Sequence, residues 1–175
     1  MTVTLSVPGL PLTAEQFERV ETPYGARLEL WEGEVVMMAA AQMAWHSQVA
    51  HRITVLFEAV GRKAIREVGV VIGPRTVMVP DVTVFNAQEI DLLRSQFPAD
   101  MVSCVAEVVS PESRRRDLQH KPGVYAGVGI AEFWRVTEHP DDRHDAIVWI
   151  FQLNPAQNYV LTSKQNLSAL EKTGL

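Results

Sequence analysis

Residues 101–109 constrain the fold of this chain more than any other segment. They read Met-Val-Ser-Cys-Val-Ala-Glu-Val-Val and are almost continuously apolar. This pattern is typical of a β-strand that is buried on both faces of its sheet. Ser110 and Pro111 follow directly and end the strand. Helical segments lie between this strand and other predicted strands, so the chain is predicted to fold as an α/β or α+β domain around one mixed sheet.

Apolar periodicity and turn residues predict the remaining elements. Strands are expected at residues 66–72, 76–85 and 131–137, hairpins at 27–38 and 146–163, and helices at 14–20, 44–61 and in the last dozen residues. Residues 113–127 are expected to form a helix or two short turns. Pro80 should interrupt the strand of residues 76–85, because proline cannot donate a hydrogen bond to a β-ladder.

The length of 175 residues fits a single domain. We expect an irregular lead-in over residues 1–12, a core over about 13–153, and a C-terminal hairpin and tail that reach residue 175. The net charge of −5 argues against a protein that binds nucleic acid through bulk electrostatics alone. It is compatible with a local basic groove.

Cysteine content and hydropathy exclude several other classes of protein. The single Cys104 excludes an intramolecular disulfide framework and a zinc site built from several thiolates. The longest apolar stretch, residues 35–45, is much shorter than the roughly 20 residues that cross a bilayer. The first twelve residues show no basic segment of the kind that begins a secretory signal. We therefore expect a cytoplasmic protein that does not enter a membrane.

Three carboxylates occupy positions that are unusual for acidic residues. Glu107 lies within the apolar segment, where an ionised carboxylate requires a partner or an opening to solvent. Asp81 follows Pro80, which can leave it at the lip of the sheet, and Glu29 alternates with two leucines. If the three side chains converge, their oxygens would suit a hard cation such as Mg²⁺. The alternative is that each acid lies on a solvated strand face.

Four segments, in this order, carry a resemblance to a known family: residues 27–38, 79–85, 105–111 and 117–134. Through them the chain resembles the Uma-two family of restriction-endonuclease-like proteins, within the PD-(D/E)XK nuclease-like superfamily. The resemblance extends over roughly residues 13–153. It implies a mixed sheet flanked by helices, a divalent-metal site and hydrolysis of phosphodiester bonds in DNA.

The resemblance also implies a role for each candidate site residue. Asp81 matches the acid that follows the motif proline, Glu107 matches the second acid, and Glu29 matches an additional acid from the first hairpin. These three would hold Mg²⁺ or Mn²⁺. Val109 stands where the motif lysine is usual, and Lys121 of the following helix would supply the ammonium group instead.

Two further signals concern nucleic-acid binding. The consecutive arginines Arg114, Arg115 and Arg116 follow the Glu107 strand and would be placed to contact phosphates beside the metal site. The alternative is a solvated run of charge. His46, at the start of the long helix, either lines the site or is a structural histidine.

Two classes of function stay open from the sequence. The first is a Mg²⁺-dependent endonuclease, for which a twofold homodimer would suit the cleavage of two strands. The second is a non-catalytic module on the same fold that binds nucleic acid or protein. Val109 in the lysine position, Pro122 directly after Lys121 and a pI of about 5.5 favour this alternative.

Overall fold

The computed structural model describes residues 2–5, 11–22, 26–39, 44–87, 89–110 and 116–175. Its strands form two six-stranded sheets. The first sheet contains β1 (Thr2–Leu5), β2 (Ala26–Trp31), β3 (Glu34–Ala39), β5 (Gly69–Gly73), β6 (Thr76–Met78) and β8 (Gln96–Pro98). The second contains β4 (Ala64–Arg66), β7 (Val82–Phe85), β9 (Val102–Val108), β10 (Glu132–Glu138), β11 (Ala146–Leu153) and β12 (Tyr159–Asn166). The helices are α1 (Ala14–Phe17), α2 (Ala44–Ala59), α3 (Lys121–Gly127) and α4 (Leu167–Thr173).

The second sheet carries the predicted buried strand near its centre. Its order is β12-β11-β10-β9-β7-β4, with β9 parallel to β10 and antiparallel to β7. Every residue of β9 except Ser103 is buried. Helices α2 and α4 pack on one face, where Phe57 contacts Trp134 at 4.5 Å between ring centroids. The other face packs against α3 and the first sheet. The prediction of helix-flanked mixed strands is confirmed.

The prediction of one sheet is wrong, because the chain changes sheets at two points. Residues 76–85 split at Pro80, so that β6 lies in the first sheet and β7 in the second. The segment predicted as a strand at 66–72 splits in the same way, between β4 and β5. Periodicity indicates that each segment is extended, but it does not indicate which neighbour each half will pair with.

Two short strands were not predicted. The lead-in contains β1, which pairs with β3, and residues 96–98 form β8, which pairs with β5. Both pair at sheet edges and are too short to show a clear alternation of apolar and polar residues.

Residues 116–120 form a wide helical turn that runs directly into α3. Pro122 is compatible with this helix because it stands in the first turn, where its missing N–H costs nothing.

Helix α2, the longest helix described, has 16 residues. Among the described residues, no helix is long and apolar enough to span a bilayer.

Candidate active site

The candidate active site lies beside the two points at which the chain changes sheets. One crossing runs through Glu67 and the other through Pro80 and Asp81. The backbone N–H of Glu67 donates to the carbonyl oxygen of Asp81 at 3.3 Å, so the two crossings are neighbours. Glu67 has φ of 56°, in the left-handed region that few residues other than glycine adopt. The break in each strand thus brings two acidic residues to one position.

Asp81 is only 3% exposed and both of its carboxylate oxygens have partners. Oδ2 accepts the backbone N–H of Val108 at 2.7 Å and lies 3.2 Å from Nε2 of His46. Oδ1 accepts from Nη1 of Arg27 at 2.7 Å. Arg27 uses its other nitrogen, Nη2, to bind Oε1 of Glu67 at 2.6 Å. An arginine and a histidine from different elements therefore hold the Asp81 carboxylate in place.

Glu107 is buried in β9, and a lysine from α3 reaches it. Nζ of Lys121 lies 2.9 Å from Oε1 of Glu107, and the hydroxyl of Tyr125 donates to the same oxygen at 2.6 Å. Lys121 and Glu107 are each 1% exposed. The spacing of four residues between Lys121 and Tyr125 puts both on one face of α3. That face is turned toward the acid.

Glu29 joins the same cluster from β2. Its Oε1 lies 2.9 Å from Nζ of Lys121 and accepts the backbone N–H of Val79 at 3.1 Å. Its Oε2 accepts from the indole nitrogen of Trp31 at 3.0 Å. The side chain is fully buried. A single ammonium group is therefore shared by one carboxylate from each sheet.

Strand register places the two motif acids side by side. Val82 of β7 pairs with Ala106 of β9 in the antiparallel ladder, so Asp81 stands opposite Glu107. The contact from Asp81 to the amide of Val108 agrees with this register. The resemblance assigned four residues to catalysis: Glu29, Asp81, Glu107 and Lys121. All four lie in one buried cluster.

The charges in the cluster shift the protonation equilibria of Asp81 and His46. Burial alone would raise the pKa of Asp81, but the His46 hydrogen bond and the charges of Arg27 and Lys121 hold it well below its ordinary value. Burial alone would lower the pKa of His46. The hydrogen bond and the charge of Asp81 outweigh that effect, and the His46 pKa lies above its ordinary value. Asp81 is therefore ionised at neutral pH.

A cleft of about 530 Å³ opens on the Asp81 side of the cluster. It lies between the first turns of α2 and the crossing from β4 to β5. Its lining residues are His46, Ser47, Ala50, Ile65, Arg66, Glu67 and Asp81. His46 thus lines this cleft and also contacts Asp81. Its predicted role in binding nucleic acid stays a prediction.

The carboxylates of the site are donors of the kind that hard divalent cations prefer. Among the described residues, no three His, Cys, Asp or Glu side chains are grouped to hold a metal ion. Zinc sites need three or four such ligands, whereas Mg²⁺ is commonly bound by one or two carboxylates, with water and substrate phosphate completing its shell. Asp81 and Glu107 supply the right kind and number of donors for this second arrangement.

Several residues that complete the site were not predicted from the sequence. Arg27, Glu67 and Tyr125 each contact one of the acids, directly or through another residue. A buried carboxylate needs a cation or a hydrogen-bond donor, so the sequence did indicate that partners for the acids exist. It did not indicate which of the many cationic and donor side chains they are. Arg114 and Arg115 lie outside the described residues, and the side chain of Arg116 does as well. Their contacts with phosphate stay predictions.

The architecture is that of a nuclease-like fold. A crystal structure of a protein described as a putative nuclease belonging to DUF820, from Anabaena variabilis ATCC 29413, has a TM-score of 0.58 to this chain. The two share 17% sequence identity, and the match covers 89% of this chain and 84% of the other. A comparison with curated proteins gave no significant match.

A family model identifies the chain more closely. The Uma2 model, described as "Putative restriction endonuclease", matches residues 14–173. Because this match spans almost the whole chain, the protein belongs to the Uma2 family. The resemblance found in the sequence is thereby confirmed.

Proposed function

We propose that this protein is a Mg²⁺- or Mn²⁺-dependent endonuclease that hydrolyses phosphodiester bonds in DNA. The observation that carries the proposal is the buried pairing of Glu107 with Lys121, beside Asp81. Burying three carboxylates is costly for a fold, and such clusters of perturbed charges are typical of functional sites. The family and the fold support nuclease chemistry.

We assign a role to five residues of the site, and the metal-binding role that the resemblance implied for Glu29 stays a prediction. Asp81 and Glu107 would hold the divalent ion, which when bound neutralises phosphate charge and acidifies a coordinated water. Lys121 presents three N–H donors, two of which face Glu29 and Glu107, and would orient a phosphate oxygen or the attacking water. Tyr125 holds the Glu107 carboxylate in place. Arg27 holds Asp81 and balances its charge.

The cleft beside Asp81 is the proposed entry for the scissile phosphate. It is open to solvent next to one motif acid, and Arg66 provides a cation at its rim. We further propose that the enzyme acts on cytoplasmic DNA as a twofold homodimer, since a twofold arrangement would present one active site to each strand. Size-exclusion chromatography with light scattering tests the dimer.

Cleavage of supercoiled plasmid tests the proposal. Wild-type protein should nick the plasmid with Mg²⁺ or Mn²⁺ and become inactive in EDTA. Glu107→Gln should reduce the rate by at least a hundredfold, because it removes the charge that faces Lys121 while preserving shape. Glu138→Gln, at an exposed position near the end of β10, is the matched control and should cleave like wild type. Equal cleavage by the two variants would refute the assignment.

One observation favours a second function, a non-catalytic nucleic-acid-binding module. Lys121 already pairs with both Glu107 and Glu29, so the three side chains form an ion-pair network without a bound metal. A protein of this kind would bind DNA without cleaving it under any metal condition. This alternative would be supported if wild-type protein does not cleave DNA and if Glu107→Gln binds DNA as tightly as wild type.

A further inference from the structure

A row of side chains leads from the candidate active site to the edge of the second sheet. Glu107 of β9 pairs in register with Arg135 of β10, and Arg135 pairs with Trp149 of β11. Trp149 pairs with Lys164 of β12, which is the edge strand. Residues paired in register on adjacent strands point to the same face of a sheet. The four side chains therefore form one line across four strands.

The face that bears this row is basic. Strand β10 also contains Glu132 and Glu138, but both are an odd number of residues from Arg135 and point to the opposite face. Strand β11 contains no charged residue, and Lys164 is the only charged residue of β12. On these three strands, the charges of this face are therefore two cations. These two cations provide local positive charge on a chain whose net charge is −5.

Contacts with Trp149 hold both cations in place. The guanidinium carbon of Arg135 lies 4.9 Å from the centroid of the Trp149 ring, and Nζ of Lys164 lies 4.3 Å from it. The indole nitrogen of Trp149 donates to Oγ1 of Thr137 at 3.3 Å, which orients the ring. Arg135 is half-buried and Lys164 is exposed. Both cations are thus ordered on an aromatic support while their charge stays available to a ligand.

We propose that this row binds the DNA backbone beside the scissile phosphate, with Arg135 and Lys164 contacting successive phosphates. The inference rests on the proposed function. Adjacent strands are about 4.8 Å apart, so Lys164 stands about 14 Å from Glu107 along the sheet. Along the axis of duplex DNA, that distance corresponds to the rise of about four base pairs. A duplex that enters the active site can therefore extend as far as the row.

Salt-dependent binding of a 20-base-pair duplex in EDTA tests this assignment without cleavage. The variants are Lys164→Gln and the double variant Arg135→Gln/Lys164→Gln. The double variant Arg143→Gln/Lys172→Gln, at exposed positions outside the row, is the matched control because it removes the same charge.

Fluorescence anisotropy at several salt concentrations gives the slope of log K against log salt. The magnitude of this slope falls by about 0.9 for each phosphate that the protein no longer neutralises. A thermal melting curve of each variant checks that it is folded.

We expect the magnitude of the slope to fall by about one in Lys164→Gln and about two in the row double variant, with little change in the control. If wild type binds the duplex and the row variant retains the slope of the control, this inference is wrong while the nuclease assignment stands. If wild type does not bind the duplex, the inference is also wrong, and plasmid cleavage then decides separately whether the protein is a nuclease.

Discussion

Nζ of Lys121 lies 2.9 Å from Oε1 of Glu107, and both side chains are almost completely buried. The family resemblance implied that Lys121 takes the place of a lysine expected two positions after Glu107, and this contact is compatible with that prediction. Val109 occupies that position here. A lysine from α3 supplies an ammonium group to the same carboxylate from the other direction.

Lys121→Met should strongly destabilise the protein. The substitution leaves Glu29 and Glu107 buried without the cation that they share, and removing one partner of a buried ion pair costs about 3–5 kcal/mol. Urea unfolding at pH 7 measures this destabilisation. Lys172→Met, at an exposed position of α4, should change stability by less than about 0.5 kcal/mol. Similar values for the two variants would contradict the buried network.

Tyr125→Phe should lower stability by about 1–3 kcal/mol, because it removes a hydrogen bond to the buried Glu107 carboxylate and leaves the ring in place. Cleavage should slow as well, because Oε1 of Glu107 then keeps its contact with Lys121 but loses the one with Tyr125. Urea unfolding and single-turnover cleavage measure the two effects. Tyr159→Phe is the control, because its hydroxyl bonds a backbone carbonyl away from the acids. An equal reduction of cleavage in both variants would exclude a positioning role for Tyr125.

Asp81 should make the protein sensitive to acid. Its folded-state pKa lies below the unfolded value, because the partners of its carboxylate outweigh the effect of burial. Its contribution to stability is thus present above the unfolded pKa of about 3.9 and is lost as the pH falls toward the folded value. Urea unfolding from about pH 6 to about pH 2.5 should show a smaller acid-dependent destabilisation in Asp81→Asn than in wild type. If the free energy of unfolding falls with pH to the same extent in Asp81→Asn and in wild type, this prediction is wrong.

Gly33→Ala should weaken the hairpin that carries Glu29. Gly33 has φ of 93°, and a Cβ at this position would overlap Pro11. Gly61 also has a positive φ, of 75°, but an added Cβ there meets open space. Gly61→Ala should therefore cost only backbone strain, about 1–2 kcal/mol, and Gly33→Ala should cost more. Thermal unfolding compares the two, and a smaller destabilisation by Gly33→Ala would be inconsistent with the described packing.

Most of the elements could be predicted from the sequence, although β1 and β8 could not. The sequence also indicated the three acids that the structure buries together, and their catalytic role stays a prediction. Pro80 marked the break before Asp81, and the apolar run around Glu107 marked the central strand. The division into two sheets could not be predicted, because extended segments do not encode their partners. The contacts of Arg27 with Asp81 and Glu67 join residues 54 and 40 positions apart in the chain. Such contacts depend on tertiary structure and leave no local pattern.

Metal binding tests the central claim most directly, namely that Asp81 and Glu107 together hold a divalent cation. The measurement is the thermal midpoint with and without Mn²⁺, in the presence and absence of duplex DNA. In wild type, a hundredfold excess of Mn²⁺ over Kd should stabilise the fold by about 2.7 kcal/mol. Asp81→Asn should abolish the Mn²⁺ effect, whereas Asp141→Asn, at an exposed position, should preserve it. An equal Mn²⁺ effect in both variants, or none in wild type with or without DNA, would contradict the account.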